Sequence, residues 1–376
     1  MNFDPMKGHV PIINSFHGGK FFQAIGEDFS ALERSAGVIS ADVLDAWFDP
    51  SPRVISKLTS YLPFLLRTSP PVYACGLVEA IAGARGVPKA SILAGGGSSD
   101  LIFTCLPHLI GRGQRAIVLD PMYCEYSHIF EKVIGAELTR FPLYEEAQFR
   151  IDTDRLRSFA KKEQPALVAI VNPNSPTGQH WPREELIGFI DSLSANTWVV
   201  VDETYVEYVG GNQSIEGEAS RRENVIVLKS MSKVYALSGL RVGYMVANPS
   251  VIEKLAPWMP PWAVSLPAQA AAVEALADTD YYQERYRETH KLREAFACEL
   301  RRIGRVTVYP SCANFSLVGV PERAQSIVEH MRTSNVFVRN CDSMSERFDD
   351  RFLRIAVKSA AENQAIAAAL RGALCR

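Results

Sequence analysis

The stretch VIVLKSMSKVYALSGLRVGY, residues 225–244, joins an apolar strand to a polar turn and a glycine-containing return. Its first four residues, Val225 to Leu228, form the short apolar run that is typical of a fully buried parallel strand. Ser230, Ser232 and Lys233 follow at the end of that strand, where ligands collect in open α/β sheets. The stretch therefore predicts a ligand site at the carboxyl edge of a parallel sheet.

The polar side chains of this stretch suit a phosphate group and an aldehyde. The hydroxyls of Ser230 and Ser232 are neutral donors, and Arg241, eight residues after the lysine, adds a planar guanidinium fork. A lysine amine beside such a phosphate site can form a Schiff base with the aldehyde of pyridoxal phosphate. We predict that Lys233 anchors this cofactor and carries protons; the alternative is a solvated surface lysine.

The motif S-x-S-K followed by L-x-G-L-R-x-G-Y resembles the fold-type I pyridoxal phosphate enzymes, in the branch of histidinol-phosphate aminotransferases and threonine-phosphate decarboxylases. The likeness extends over nearly all of the chain. It implies that Lys233 is the Schiff-base lysine and that Ser230, Ser232 and Arg241 bind the cofactor phosphate. It also implies a homodimer, because sites in this family are built at the subunit interface.

The expected fold is α/β, with a large domain that has a mostly parallel sheet flanked by helices, and a smaller α/β domain. Residues 1–44 are expected to join the small domain. Residues 45–280 are expected to form the large cofactor-binding domain, and residues 281–376 the small C-terminal domain.

Length and composition are those of a globular protein and exclude several other classes. The chain has 376 residues, of which 47% are hydrophobic and 22% charged. A net charge of −2 without basic blocks argues against nucleic acid, and no apolar run approaches the roughly 20 residues that span a bilayer. The seven cysteines are scattered and never form C-x-x-C, so we expect neither disulfides nor a metal site. The start of the chain lacks the pattern of a signal peptide, which favours the cytoplasm.

A glycine run lies upstream of the lysine, before an apolar-periodic helix. The backbone N–H groups of Gly97, Ser98 and Ser99 would point at an anion, with the helix dipole favouring negative charge. The resemblance implies that this turn grips the cofactor phosphate. It also implies that Tyr123, two residues after Pro121, stacks on the pyridine ring; the alternative is a core tyrosine. We expect Tyr126 to serve in packing.

A proline-rich turn, NPNSPTG at residues 172–178, follows another buried strand. The family motif has asparagine immediately before P-T-G, where it donates a hydrogen bond to the phenolic oxygen of the cofactor. This chain has Ser175 at that place and Asn174 one position earlier. The contact is therefore assigned to either Ser175 or Asn174.

The apolar strand at residues 198–201 ends in DETY. An acid at the end of a buried strand needs a partner, and the N–H of a pyridinium ring is a suitable one. We predict that Asp202 keeps the ring nitrogen protonated and so makes the ring an electron sink; the alternative is a helix N-cap. The resemblance implies that Tyr205 donates a hydrogen bond to the phenolic oxygen.

Two arginines near the end of the chain are candidates for binding the substrate. Arg354 lies inside the apolar strand FLRIAV and needs an anion, which in the family is the substrate α-carboxylate. The alternative is a structural ion pair. Arg339 either holds a second acidic group of the substrate or lies on the surface.

Several segments depart from the family pattern or favour its decarboxylases. The HGGK segment, residues 17–20, and PPW at residues 260–262 are similar to decarboxylase sequences. The segment DVLDAWFDPSP, from Asp42, lies where the family usually has N-x-N-P-x-G. Ser69 takes the place of a tyrosine that reaches the phosphate of the neighbouring subunit, and Tyr73 is a possible substitute.

The resulting hypothesis is an aminotransferase that acts on an amino acid or a phosphorylated amino compound. The nearest alternative is a lyase on the same scaffold, similar to threonine-phosphate decarboxylases or catalysing side-chain elimination or substitution in a specialised pathway. The cofactor motifs suit both classes, because the protein selects which bond at the substrate α-carbon lies perpendicular to the ring.

Overall fold

The structure is a computed structural model that describes residues 18–375, so His17 of the HGGK segment lies outside the described residues. Its strands form two sheets with helices packed around them. The strands are β1 Ile39–Ala41, β2 Ile92–Gly95, β3 Arg115–Asp120, β4 Glu137–Pro142, β5 Leu167–Val171, β6 Trp198–Asp202, β7 Val225–Ser230, β8 Gly243–Ala247, β9 Thr307–Val308, β10 Phe315–Gly319, β11 Val336–Asn340 and β12 Phe352–Ala356.

The helices alternate with the strands through most of the chain. They are α1 Phe22–Ile25, α2 Pro52–Arg67, α3 Cys75–Arg85, α4 Ser98–Cys105, α5 Cys124–His128, α6 Thr153–Glu163, α7 Arg183–Asp191, α8 Glu216–Ala219, α9 Met231–Val234, α10 Pro249–Leu255, α11 Leu266–Ala277, α12 Thr279–Arg301, α13 Ala324–Arg332 and α14 Ala360–Leu374.

The larger sheet has seven strands in the order β2-β8-β7-β6-β5-β3-β4. The strands from β4 to β7 pair in parallel, and β8 pairs antiparallel with both β7 and β2. Every residue of β5 and β7 is buried, as expected for parallel strands covered on both faces. The predicted α/β fold with a mostly parallel sheet is confirmed, and the lysine segment begins with β7, which lies between β8 and β6 in this sheet.

The smaller sheet has five strands in the order β1-β11-β12-β10-β9. Strand β1 pairs in parallel with β11, with Ile39 opposite Val336, so the N-terminal segment shares a sheet with the C-terminal residues. The sequence had not indicated β1, because three residues are too short for a periodic pattern. The domain boundaries at residues 44 and 280 stay predictions.

Among residues 18–375, no helix is both long and apolar enough to cross a bilayer. The same residues contain no group of three or more histidine, cysteine or acidic side chains that could hold a metal ion.

A buried charge network lies behind the carboxyl ends of β6 and β7. The amine of Lys229 is 2.8 Å from a carboxylate oxygen of Glu207, 3.3 Å from one of Glu203 and 3.7 Å from one of Glu216. Arg85 from α3 adds a second cation, 2.8 Å from Glu207. Three carboxylates thus share two cations, and burial raises the pKa of Glu203 to about 7.

This network predicts a pH dependence of stability. Since the pKa of Glu203 is raised from its ordinary 4.5 to about 7 in the folded chain, its stabilising contribution is complete below about pH 4.5 and is lost as the pH rises through about 7. Glu203→Gln, which mimics the protonated acid, should lose less unfolding free energy over this interval than the wild type. Urea unfolding of the cofactor-free protein at several pH values measures the difference. The exposed Glu223→Gln is the control, and identical curves for the two variants would contradict the prediction.

Candidate active site

One cavity lies where β5, β6 and β7 end and where the segment after β1 and strand β12 approach them. Because the carboxyl ends of parallel strands meet at one edge, residues far apart in the sequence become neighbours there. The cavity wall also includes Gly18 of the HGGK segment, Val43 and Leu44 of the segment from Asp42, and Val171 and Thr204, which the sequence did not indicate. The predicted residues that line the cavity are Ser98, Ser99, Tyr123, Ser175, Asp202, Tyr205, Ser230, Ser232, Lys233, Arg241 and Arg354.

One end of the cavity is a cluster of hydrogen-bond donors. Arg241 donates from Nη1 to the hydroxyl of Ser232 at 3.2 Å and to the carbonyl of Ser238 at 3.0 Å. The hydroxyl of Ser230 accepts from the backbone N–H of Ser232 at 3.3 Å, which begins the short helix α9. The guanidinium thus meets a hydroxyl and a carbonyl rather than a carboxylate, so its charge is available to an anion.

Two glycines let the backbone of α4 approach this cluster. A Cβ on Gly97, whose φ is +100°, would lie 2.6 Å from Nη2 of Arg241. A Cβ on Gly243 would lie 2.7 Å from the carbonyl oxygen of Lys229 and 3.0 Å from the amide nitrogen of Ser98. Side chains are thereby excluded from both positions. The helix start, the hydroxyls and the guanidinium form a donor set that fits a phosphate dianion.

Asp202 is a buried acid of the cavity wall. Its Oδ1 accepts hydrogen bonds from the amide of Thr204 at 3.0 Å and from the hydroxyl of Thr204 at 2.6 Å. Burial raises its pKa, and these hydrogen bonds oppose the rise. A cationic N–H facing this carboxylate would hold it ionised, so the site fits a protonated pyridine nitrogen.

Tyr126 has a larger role than the expected packing. Its ring is fully buried, and its hydroxyl also donates to Oδ2 of Asp202 at 3.0 Å. Tyr126 therefore packs as expected and also makes a hydrogen bond that the sequence did not indicate. A tyrosine hydroxyl that is buried needs an acceptor, and only the fold brings Asp202 within its reach.

Tyr123 faces the cavity beside a buried acid that the sequence did not indicate. Its hydroxyl donates to Oε2 of Glu125, and the hydroxyl of Ser99 donates to the same oxygen at 3.0 Å. Burial and Glu125 raise the pKa of the Tyr123 phenol, which keeps it protonated. The sequence signal that could have indicated Glu125 is its position two residues after Tyr123.

Tyr205 is buried against Phe315, with the ring centroids 5.2 Å apart in an edge-to-face arrangement. Burial raises the pKa of its phenol, so Tyr205 is a hydrogen-bond donor at the cavity wall across the ordinary pH range.

The turn at residues 172–178 presents Ser175, and not Asn174, to the cavity. The amide of Asn174 donates to the carbonyl of Pro121 and to the hydroxyl of Thr177, both at 3.0 Å, and so braces the turn. Ser175 lines the cavity and accepts a hydrogen bond from Arg354 at 2.9 Å. Of the two residues left open by the sequence, the structure brings only Ser175 to the site.

Arg354 is buried in β12 and points at the turn. Besides Ser175, it donates to the carbonyl of Asp42 at 3.3 Å. Its Nε is buried, and no residue among 18–375 accepts a hydrogen bond from it. Both partners are neutral. Among the described residues, Arg354 therefore does not form the structural ion pair that the sequence left open as an alternative. A buried guanidinium in this state fits an anionic ligand.

Arg339 is the neighbour of Arg354 across the strand pair β11–β12. Cross-strand partners share one face of a sheet, so the two arginines lie side by side. Arg339 is 3% exposed, which rules out the surface alternative, and burial together with Arg354 lowers its pKa. It lines a second cavity, next to the first, together with Lys20, Asp42, Arg332 and Asp342.

Lys233 lies in the cavity and forms an ion pair there. Its amine is 2.7 Å from Oδ1 of Asp45, an acid that the sequence did not single out. Burial lowers the pKa of the Lys233 amine, and Asp45 opposes this shift. The surface alternative for Lys233 is therefore wrong, because the side chain is 20% exposed and in contact with the other site residues.

Comparisons with known proteins give the family of the chain. Residues 65–370 match the family model of aminotransferase class I and II. The chain is 31% identical to histidinol-phosphate aminotransferase 2 of Archaeoglobus fulgidus over 97% of this chain and 99% of that one. It is 30% identical to histidinol-phosphate aminotransferase of Clostridium kluyveri over 75% of this chain and 77% of that one.

Solved structures show the same architecture. Histidinol-phosphate aminotransferase from Sinorhizobium meliloti, in complex with pyridoxal-5'-phosphate, superposes with a TM-score of 0.82 at 25% identity over 98% of both chains. The L-threonine-O-3-phosphate decarboxylase from Porphyromonas gingivalis has the same fold, with a TM-score of 0.78 at 23% identity over 90% of this chain and 100% of that one. The resemblance carried by the lysine segment is thus confirmed, and the chain belongs to the class I and II aminotransferase family, whose cofactor is pyridoxal phosphate.

Proposed function

We propose that Lys233 anchors pyridoxal phosphate in this aminotransferase, and that the substrate is an amino compound with a second acidic group. The observation that carries the first part is the convergence, in one cavity, of a lysine, a buried acid and a donor cluster without a carboxylate. The relatives' names carry histidinol phosphate, whose phosphate is its one acidic group, so the second part rests on the neighbouring Arg354 and Arg339 and not on the relatives.

Different residues of the cavity would hold different parts of the cofactor. Ser98, Ser230, Ser232 and Arg241 would hold its phosphate, and Tyr123 would cover the face of its ring. When bound, pyridoxal phosphate supplies an aldehyde that a lysine amine can join and a ring that withdraws electrons from the substrate.

The remaining polar groups keep protons where the reaction needs them. Asp202, held by Tyr126 and Thr204, would keep the ring nitrogen protonated. Tyr205 and Ser175 would donate hydrogen bonds to the phenolic oxygen. Lys233, released when the substrate amine takes its place, would accept the proton from the substrate α-carbon.

The cofactor assignment predicts which lysine is labelled. Borohydride reduction of the protein loaded with pyridoxal phosphate should fix the cofactor on Lys233, and Lys233→Ala should lose the fixed label completely. Lys358→Ala is the matched control, because Lys358 is also buried near the cavity and should leave the label in place. Peptide mapping by mass spectrometry identifies the labelled residue, and a label on any other lysine would overturn the assignment.

Two arginines support a substrate with two acidic groups. Arg354 lines the cofactor cavity and Arg339 lies beside it, toward the second cavity with Lys20 and Arg332. One guanidinium can therefore bind the acidic group nearest the substrate amine. The other can bind an acidic group farther along the substrate. Lys20 and Arg332 raise the positive potential around the more distant group.

The arginine positions also determine which bond is broken. If Arg354 holds the α-carboxylate in the ring plane, the C–H bond can stand perpendicular to the ring and break, which leads to transamination. If a side-chain phosphate takes Arg354, the carboxylate can leave the plane and depart as carbon dioxide. The family and the relatives favour transamination as the reaction.

We expect amino-group transfer when histidinol phosphate and L-phosphothreonine are supplied in α-deuterated form. The deuterium should be lost from the α-carbon, the amine form of the cofactor should accumulate, and no carbon dioxide should be released. Mass spectrometry, absorbance and gas analysis follow these three products. Release of carbon dioxide from L-phosphothreonine, with the cofactor still in its aldehyde form, would instead make the chain a decarboxylase.

We also propose that two copies of the chain form a homodimer. Apolar side chains are exposed along α2, which packs its other face on α11, and around a cavity of about 540 Å³ between α3 and α10. A self-complementary dimer would remove this surface from water. The exposed residues are Ile55, Tyr61, Leu62, Phe64, Leu66, Val72, Tyr73, Trp258 and Trp262. Tyr73 is 82% exposed and is available to a neighbouring subunit. A cytoplasmic location stays a prediction.

Leu66→Asp should weaken this dimer, because it places a charge in an apolar contact. Sedimentation velocity at several protein concentrations should show a dimer for the wild type and a larger monomer fraction for the variant. Val133→Asp, also at an exposed apolar residue but far from α2 in sequence, is the control and should remain dimeric. A wild type that sediments as an active monomer would refute the homodimer.

A further inference from the structure

Asp45 makes direct contact with the amine assigned to cofactor attachment. It lies in the irregular segment between β1 and α2, and its Oδ1 is 2.7 Å from Nζ of Lys233. The same oxygen accepts a hydrogen bond from the hydroxyl of Ser238 at 2.6 Å. One carboxylate oxygen therefore meets both a cation and a hydroxyl donor.

The segment that carries Asp45 is held on both sides. The carbonyl of Leu44 accepts a hydrogen bond from the buried amide of Asn314 at 3.0 Å. The indole N–H of Trp47 donates to the hydroxyl of Thr289 at 2.8 Å. Because these contacts connect the segment to β10 and α12, the carboxylate is directed at Lys233 before any ligand binds, with little ordering left to occur.

Asp45, Arg354 and Arg241 are the charged groups that act on Lys233, and a second acid, Asp202, lines the same cavity. Burial lowers the pKa of the Lys233 amine, as do Arg354 and Arg241, and Asp45 raises it. Burial raises the pKa of Asp45, but Lys233 and Ser238 outweigh burial and leave this pKa below its ordinary value. The lowered pKa favours the charged form of Asp45, whose carboxylate lies 2.7 Å from the Lys233 amine. The other ionisable groups that face this pair are Lys358 and Tyr205.

We propose that Asp45 is a positioning residue that holds a proton on the Lys233 nitrogen and fixes the direction of that nitrogen, in the free enzyme and after the cofactor is attached. The proposal rests on Lys233 being the cofactor anchor. A carboxylate so close favours a positive charge on the nitrogen in either state, because the nitrogen stays at the end of the same side chain. A protonated nitrogen makes the carbon joined to it more open to attack by the substrate amine.

The absorbance of the loaded enzyme reports this proton. The cofactor is yellow when the lysine nitrogen joined to it is protonated, so the absorbance titrates with pH. An opposite charge within about 4–6 Å shifts a pKa by about 1–3 units. Asp45→Asn should therefore lower the midpoint of this titration by at least about 1 unit. Asp49→Asn removes an exposed charge from the same segment and is the matched control, with an unchanged midpoint expected.

The cofactor-free enzyme gives an independent readout. The rate at which added pyridoxal phosphate combines with Lys233 depends on the unprotonated amine. In Asp45→Asn the pH profile of this rate should move to lower pH, and in Asp49→Asn it should stay where the wild type has it.

Ser238→Ala serves if Asp45→Asn does not fold. It removes the hydroxyl that directs Asp45 but keeps the carboxylate, so it should shift both profiles in the same direction by a smaller amount. Unchanged profiles in Asp45→Asn, or in Ser238→Ala where that variant replaces it, overturn the proposal. Borohydride mapping on the same samples separates the two hypotheses: a label on Lys233 with unchanged profiles refutes only the role of Asp45, and a label elsewhere refutes the anchor itself.

Discussion

The cost of removing charged groups from water is the constraint on which this site depends. Asp202, Arg354 and Lys233 are all largely buried around the cavity at the carboxyl edge of the large sheet. A buried charge is tolerated when hydrogen bonds and opposite charges compensate it. The compensation is incomplete for Asp202 and Arg354, because neutral groups surround them. A ligand with a cationic ring nitrogen and acidic groups completes it, so the electrostatics of the cavity select the ligand.

The two sheets contribute different parts of this compensation. The large sheet delivers Asp202 and the lysine segment from the ends of neighbouring parallel strands. The small sheet delivers Arg354 from β12 and, through β1, the segment that ends near Asp45. The carbonyl of Asp42 accepts from Arg354, and its carboxylate accepts from the backbone N–H groups of Gly19 and Lys20. The N-terminal segment is thus tied to β12 through Arg354 and supplies the acid that meets Lys233.

A second set of buried charges, the network around Lys229, lies behind the cavity. Glu203 follows Asp202 directly, and Lys229 precedes Ser230, so alternate side chains of two strands point to the cavity and to the charge network. The network joins β6, β7 and α3 through Lys229 and Arg85. Breaking such a network by removal of one partner costs about 3–5 kcal/mol. The strand ends that carry Asp202 and Ser230 are therefore fixed by interactions outside the cavity.

The sequence by itself determined the fold class and most of the residues that line the cavity. Apolar runs that end in polar turns predict parallel strands, and residues at those ends must share an edge, so Lys233, Asp202 and Arg241 could be placed together without coordinates. The short strand β1 and the roles of Tyr126, Glu125 and Asp45 could not be found in this way. Each depends on a contact between residues distant in sequence or on a side-chain direction that periodicity does not encode. Tyr126 meets Asp202 across 76 positions and Asp45 meets Lys233 across 188. The choice between Asn174 and Ser175 was likewise decided by the tertiary structure, because the turn directs one side chain toward Pro121 and the other toward Arg354.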